Sequence, residues 1–399
     1  MNAIVLASAR LNLDASGELW TPRTAIGYQF WSRYLDIYDE IFLATPAQRL
    51  DVPEPDNVKV SGERIHPLPM PDPHSPTTYV IHRRKMRSSF KQLLDAGSAV
   101  HLRLPAMLAD ELLNCLPPNY PYGVEVVGDP HDVLAPGAMK HPLRPFLRWW
   151  FPQRLRRQCA EACAAAYVTE RALQQRYPPA PDAFTTHYSS VELDEQAYAS
   201  APRVYHAPLV QARLVLVGSL EQMYKAPDVA IDAVALCVSR GLDICLTIVG
   251  DGKHRPELEA RADRMGVSRQ VTFTGKLSAG QAVREQLDRA DLFVLPSRQE
   301  GLPRAMIEAM ARGLPCIGSA VGGIPELLPD EDLVPPGDAE ALANKIAEVL
   351  SDPARMTRSA ARNLEKARTY HNDVLRARRI EFYTYVKETT EAWLQQQRG

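Results

Sequence analysis

The sequence predicts an α/β chain built from two doubly wound, Rossmann-like domains that face each other across a cleft. Three observations carry this. Short continuous apolar runs such as Ile4-Val5-Leu6 and Leu292-Phe293-Val294-Leu295 recur, as in parallel strands buried on both faces. Beyond Gln211 such runs alternate cleanly with helical stretches. The length, 399 residues, allows two cores of ordinary size. Periodicity fades between Ala201 and Gln211, which places a linker there. The expected units are residues 1–200, residues 201–373, and a final helix within 374–399 that packs back on the first domain.

In the first half, Ile4 to Leu6 is a strand, and a long polar loop is expected from Ser8 to Arg23. Ile26, Phe30, Trp31, Tyr34, Leu35 and Tyr38 then form one apolar face of a helix running from Ala25 to Tyr38. Further strands are expected at Glu40–Ala44, Ser98–Arg103, Gly123–Gly128 and Ala164–Thr169, with a helix starting at Glu170. The proline-rich stretch from Val52 to Pro76 reads as loop with short strands. In the second half, strands at Leu214–Gly218, Ile244–Val249 and Val271–Gly275 alternate with helices at Pro227–Arg240, Pro256–Met265 and Ser278–Leu287. Helices at Asp338–Leu350 and Val374–Gln397 complete the pattern.

Composition narrows the class. Hydrophobic residues make up 45% and charged residues 24%, as in a soluble globular protein. The net charge of −2 gives no argument for a nucleic-acid partner. No basic segment precedes the first apolar run, and no run approaches the ~18 residues that span a bilayer, so a cytoplasmic protein is expected. The six cysteines lack CxxC spacing, and Cys159 and Cys163 stand one helical turn apart. They read as reduced packing residues, with no metal site.

The chemistry concentrates in residues 290–328. A buried strand ends at Leu295, a loop carries Glu300-Gly301-Leu302, and a helix is expected from Pro303, the first helical position, to Ala311. Cys316-Ile317-Gly318 begins another strand, and Gly322-Gly323 leads into a helix at Ile324. Glu300 and Glu308 flank one helix start with seven residues between them. Glu308 has apolar neighbours, so its carboxylate needs partners: sugar hydroxyls, or a salt bridge to Arg304 four residues earlier. Lys225 ends the loop after the strand at 214–218 and reads either as a diphosphate ligand or as a solvated loop charge. Gly322 and Gly323 admit a close ligand or simply make a turn.

These residues together resemble the E-x7-E signature of family 4 glycosyltransferases, retaining enzymes of the GT-B fold. The resemblance covers Gly218 to Lys225, Val249-Gly250-Asp251-Gly252, Val271 to Leu277 and the whole of 290–328, in order and spacing. It implies a hexosyltransferase-type enzyme that moves a sugar from a nucleoside-diphosphate sugar to a glycan or lipid-linked saccharide, in polysaccharide or glycoconjugate synthesis. No metal and no cofactor other than the donor is implied. Carried over to this chain, Lys225 and Ser219 would lie at the donor diphosphate. Glu300 would contact the donor sugar, with Gly301, Leu302 and Pro303 around sugar and phosphate. Glu308 would hold ribose hydroxyls, and Lys276-Leu277 the base. Glu300, Lys225, Asp129 and His131 are the catalytic candidates, the last two because relatives often place a histidine at that strand end.

Two positions depart from the family. Ser219 stands where an arginine is common, so Lys225 would share the diphosphate with Arg10, Arg103 or Arg304. The loop Ala7 to Asn12 lacks the usual glycine pair. A sugar-nucleotide epimerase of the same fold and a non-enzymatic two-lobed sugar-binding protein are the alternatives.

From Val133 to Ala160 there is no acidic residue, while Lys140, Arg144, Arg148, Arg154, Arg156 and Arg157 surround Trp149-Trp150-Phe151. A second basic patch runs through 82–91. These segments read either as core tryptophans beneath a solvated arginine face, or as a peripheral contact through 140–157 and 82–91 with the inner face of a membrane.

Overall fold

The computed structural model describes residues 1–22, 26–50, 54, 57–70, 76–134 and 142–398; for 76–83 and 85 it describes the backbone alone. Lys140 and the side chains of His82, Arg83 and Lys85 therefore lie outside the described residues.

The first unit contains β1 (Ala3–Leu6), β2 (Leu11–Leu13), β3 (Leu19–Thr21), α1 (Tyr28–Ser32), β4 (Ile41–Arg49), β5 (Val58–Lys59) and β6 (Ile65–Met70). It continues through α2 (Pro76–Asp95), β7 (Ala99–Leu104), α3 (Ala109–Leu113), β8 (Gly123–Val126), α4 (Pro130–Val133), α5 (Arg144–Ala160), β9 (Ala164–Tyr167), α6 (Ala172–Arg176) and β10 (Phe184–His187). Among the described residues its sheet runs β10-β9-β8-β7-β1-β4-β2-β3-β5, with β6 also on β4. β1, β7, β8 and β9 pair in parallel and are buried at every position, His101, Arg103 and Glu125 included.

Two expectations fail here. The stretch from Ser8 to Arg23 is not all loop: β2 and β3 form a small antiparallel extension of the sheet. Three-residue strands bounded by Asp14 and Gly17 are too short to show alternation. The expected helix from Ala25 to Tyr38 is only α1 followed by a 3-10 turn at Arg33–Asp36, and residues 23–25 lie outside the described residues. The apolar face is nevertheless real, because Trp31, Tyr34 and Tyr38 are fully buried.

The second unit contains β11 (Ala212–Val217), α7 (Pro227–Ser239), β12 (Ile244–Val249), α8 (Arg255–Arg264), β13 (Val271–Gly275), α9 (Gln281–Arg289), β14 (Leu292–Leu295), α10 (Arg304–Ala311), β15 (Cys316–Ser319), α11 (Ile324–Leu327), β16 (Leu333–Val334), α12 (Ala339–Ser351) and α13 (Pro353–Arg368). Its six strands are all parallel, in the order β13-β12-β11-β14-β15-β16. That order reverses at β11/β14, so the crevice beyond the carboxyl ends of these two strands is the natural ligand position. Asp338 and Asp352 begin α12 and α13 by accepting the amides of Ala341 and Arg355, at 2.8 and 2.9 Å.

The last helix, α14 (Asn372–Arg398), lies across β7, β8, β9 and β10 of the first sheet. Phe382, Tyr383 and Val386 are fully buried there. Gly123 makes the approach feasible: a β-carbon on it would stand 2.7 Å from Val386 Cγ2.

Candidate active site

The site is assembled by three loops at the carboxyl ends of β11, β14 and β15. After β11 the chain makes a 3-10 turn, Met223–Lys225, and Ala226 takes a left-handed conformation at φ 52° before Pro227 opens α7. Gly218 leaves room for the Lys225 stem, since a β-carbon there would lie 2.1 Å from Lys225 Cδ. Gly250, at φ +149°, packs in turn against the Gly218 carbonyl. Gly218 and Gly250 thus seat the lysine.

After β14 the loop carries Glu300. Its Oε1 accepts from Lys225 Nζ at 2.9 Å and from Ser297 Oγ at 2.9 Å. Both side chains of the ion pair are largely buried. Lys225 is therefore no solvated loop charge. After β15, Gly322 and Gly323 fold onto Glu300 and Gly301: the Gly323 amide donates to the Gly301 carbonyl at 2.7 Å, and a β-carbon on Gly322 would meet the Glu300 carbonyl at 2.0 Å. Their smallness serves contact between two loops. Gly301 also faces the other domain, its β-carbon position lying 3.4 Å from the Val127 carbonyl beyond β8 and 3.6 Å from Val168 beyond β9. The strand ends of both sheets meet here.

Pro303 is the cap before α10, one position earlier than expected. Glu308, in that helix, lines a cavity of about 390 Å³ with Arg284, Arg304 and Gly280. Gln29, Ser190 and Glu192 close it from the first unit and the segment after β10. Burial pushes the Glu308 carboxyl above its ordinary range, while the charges of Arg304, Lys225 and Arg284 oppose that rise. The alternative of an Arg304–Glu308 salt bridge is not realised among the described residues. Lys225 thus both pairs with Glu300 and acts on Glu308. Lys276 is exposed, Leu277 is half-buried, and their loop continues into Ala279 and Gly280 at the Glu308 cavity. Ser219 is exposed and its hydroxyl accepts the Glu221 amide at 3.2 Å.

The first-domain candidates are engaged differently. Asp129 is buried and caps α4, accepting the His131 amide at 2.9 Å, Tyr177 Oη and Arg176 Nη1. It orients the backbone of His131. His131 has Nδ1 3.0 Å from Asp132 and lines a separate hollow of about 410 Å³ against Arg144, Arg148 and Arg156 of α5. Of the supplementary cations, Arg103 is closed into a buried ion pair with Glu125, which Arg33 also approaches at 3.5 Å. Arg103 is thereby withdrawn from any diphosphate. Arg304 stands at the Glu308 cavity, and Arg10 lines a cavity of the first domain.

Three residues escaped sequence reasoning. Ser297 is fully buried beneath Glu300. Arg298 grips Asp228 through two nitrogens and also donates to the carbonyls of Met223 and Tyr224, so it fastens the turn that carries Lys225. Glu326, from α11, accepts the amides of Glu170, Arg171 and Ala172 at 2.6, 2.9 and 2.6 Å and so joins the two domains. The available signal was position alone, since Ser297 and Arg298 directly precede Glu300 and Glu326 follows the glycine pair.

Residues 211–352 match the family model described as glycosyl transferases group 1. Protein CapJ of Staphylococcus aureus is 27% identical over 335 residues, covering 80% of this chain and 79% of that protein. The D-inositol 3-phosphate glycosyltransferase of Mycolicibacterium smegmatis is 34% identical over 167 residues, which cover 41% of this chain and 38% of that one. Among solved structures, the sucrose-phosphate synthase from Thermosynechococcus elongatus has a TM-score of 0.66 at 17% identity, covering 98% of this chain and 100% of its own. The lipopolysaccharide outer core galactosyltransferase WaaB has a TM-score of 0.65 at 15% identity, covering 97% of this chain and 99% of its own. HepE of Anabaena, solved in complex with UDP, has a TM-score of 0.62 at 16% identity, covering 99% of this chain and 100% of its own. Neither the epimerase nor the non-enzymatic reading is favoured by these relatives. Residues 211–352 carry a glycosyl transferases group 1 domain, the whole chain has the GT-B fold, and the chain is a glycosyltransferase.

Proposed function

We propose that the chain transfers a hexose from a nucleoside-diphosphate sugar to a saccharide acceptor with retention of anomeric configuration. The observation that supports this most is Lys225 held at 2.9 Å from Glu300 while its charge also acts on Glu308. In this reading Lys225 stabilises the negative charge that develops on the leaving diphosphate. Glu300 and the backbone of Gly301, Leu302 and Pro303 hold the donor sugar. Glu308 accepts hydrogen bonds from ribose hydroxyls, which would relieve the burial of its carboxylate. Lys276 and Leu277 border the base. The leaving phosphate takes the acceptor proton on the face it departs from, so the paired glutamates do not act as a glycosidase acid and nucleophile. Asp129 acts through the position of His131, and Ser219 adds no charge to the diphosphate site.

A thermal-shift screen of the intact chain with UDP, GDP and ADP tests the donor site. One of them should stabilise the wild type, and Lys225→Ala or Glu308→Ala should abolish most of that shift. Glu300→Ala should lower turnover more than nucleotide binding. Equal shifts in all three variants and the wild type would place the nucleotide elsewhere.

Peripheral membrane contact belongs to the same proposal. Trp149 is 60% exposed, Phe146 54% and Trp150 38%, so these aromatics are not core residues. Arg144, Arg148 and Arg156 stand beside them without a carboxylate partner among the described residues. Rings and arginines on one helix suit an anionic headgroup layer. No described helix is long and apolar enough to cross a membrane. Co-sedimentation with anionic vesicles at low salt should capture the wild type and lose the Trp149→Ala, Trp150→Ala double variant.

A further inference from the structure

One further cavity belongs to neither glutamate. It measures about 630 Å³ and lies beyond the carboxyl ends of β1, β7 and β8, walled by the loops that follow them and by the inner face of α5. Leu108, Leu134, Leu147, Phe151 and Leu155 supply most of its wall. Leu147, Phe151 and Leu155 recur every fourth residue, so one stripe of α5 faces the cavity. Two of its polar groups are consumed within the wall. Arg154 donates to the Met107 carbonyl at 2.7 Å and pairs with Asp110, and Gln158 donates to Asp110 at 2.6 Å. Ser8 and Arg10 are exposed at the loop after β1.

A sugar ring would need hydrogen-bond partners for its hydroxyls in such a space, and this wall offers aliphatic carbon instead. The volume falls within the ~300–1,000 Å³ typical of small-molecule sites. The helix that closes the cavity presents on its outer side its exposed aromatics and arginines that have no carboxylate partner among the described residues, the charge complement of an anionic amphiphile layer. We infer that this cavity receives the hydrocarbon chain of an amphiphilic acceptor, so that the acceptor class is a lipid-linked saccharide and not a free glycan. The inference rests on the glycosyltransferase reading for the word acceptor, and on the cavity alone for the hydrocarbon.

The test uses n-alkyl β-D-glucosides from hexyl to decyl, below their micelle concentrations, titrated calorimetrically into the full chain without vesicles. Affinity should rise about fourfold per methylene, the factor expected for apolar burial, until the chain fills the cavity. Leu147→Trp should flatten this series and weaken the decyl probe at least tenfold. Val133→Trp, at a rim position 46% exposed, should do the same where core substitution harms folding. Equal affinity for hexyl and decyl glucoside, or a chain-length slope unchanged in both variants, would overturn the inference. Binding of UDP, GDP and ADP is measured on the same samples. Intact nucleotide binding with a flat alkyl series defeats the cavity assignment alone. A steep alkyl series without nucleotide binding upholds the cavity and defeats the donor site.

Discussion

Arg298 holds Asp228 in a two-pronged ion pair, at 2.9 and 2.7 Å, and with the same guanidinium reaches back to the Met223 carbonyl. Neither residue need touch a substrate. Together they fix the turn from which Lys225 projects toward Glu300. Burial alone would raise the Asp228 carboxyl, yet Arg298 holds it below its ordinary range. Arg298→Ala should therefore weaken nucleoside-diphosphate binding roughly tenfold, equal to about 1.4 kcal/mol. The pair, half-exposed on its Arg298 side, is worth only ~0.2–1 kcal/mol of stability, so melting should change little. Titration calorimetry beside a thermal melt separates the two effects, and Arg298→Lys should recover only part of the affinity because it lacks the fork. A large melting loss with unchanged affinity would defeat the positioning role.

Glu308 should show opposite signs for stability and binding. Its folded-state carboxyl is raised by burial, so the native state binds the proton more readily than the unfolded one. Stability therefore falls as pH rises from the ordinary glutamate range through the raised value, and the deficit is fully present above it. Glu308→Gln should stabilise the ligand-free protein at pH 7 and weaken the nucleotide by about 1.5–3 kcal/mol, the worth of a hydrogen bond to a charged group. Wild-type nucleotide affinity should decline as pH falls toward the raised value, and Glu308→Gln should flatten that profile. An unaltered profile in the variant would separate Glu308 from the ribose.

His101 predicts acid sensitivity of the first domain. The ring is fully buried, with Nε2 2.7 Å from Tyr38 Oη, and burial lowers its pKa from 6.5 to about 4. Between those values the unfolded state holds the extra proton. The contribution is fully present above pH 6.5 and is lost as pH falls toward 4, amounting to ~3 kcal/mol over the interval. Denaturant titrations from pH 7 to 4 should show this slope in the wild type and a shallower one in His101→Gln.

Glu326 ties the two domains together. Its carboxylate receives three amides of the segment that enters α6, across the boundary between domains. Glu326→Ala should cost about 0.5–2 kcal/mol, as loss of a helix cap does. It should also speed proteolysis within 201–211 and enlarge the radius measured by small-angle scattering. Unchanged scattering with a lowered melting temperature would restrict Glu326 to capping.

The sequence was most legible where the strands are buried on both faces. Ile244–Val249, Val271–Gly275 and Leu292–Leu295 occupy the spans that their apolar runs indicated. The first domain was harder, because β2 and β3 are short and α1 passes after five residues into a 3-10 turn, leaving too few periods to read. Glu308 stood out because a carboxylate amid apolar neighbours is costly, and Glu300 by its spacing from it. Arg298 and Glu326 did not, because an arginine or glutamate in a polar loop looks solvated until its partners, 70 and about 155 residues away, are placed. For the tryptophans of α5 the sequence left core and surface both open, and the fold turned them outward.

The last helix carries a consequence for how the chain is made. Phe382, Tyr383 and Val386 finish the core of a sheet whose strands all precede residue 188. Domains generally fold in order as they leave the ribosome. Here the first half emerges with an apolar face that stays wet until α14 has been made. Until then that face is open to aggregation, and the first domain completes its core only after the second has been synthesised.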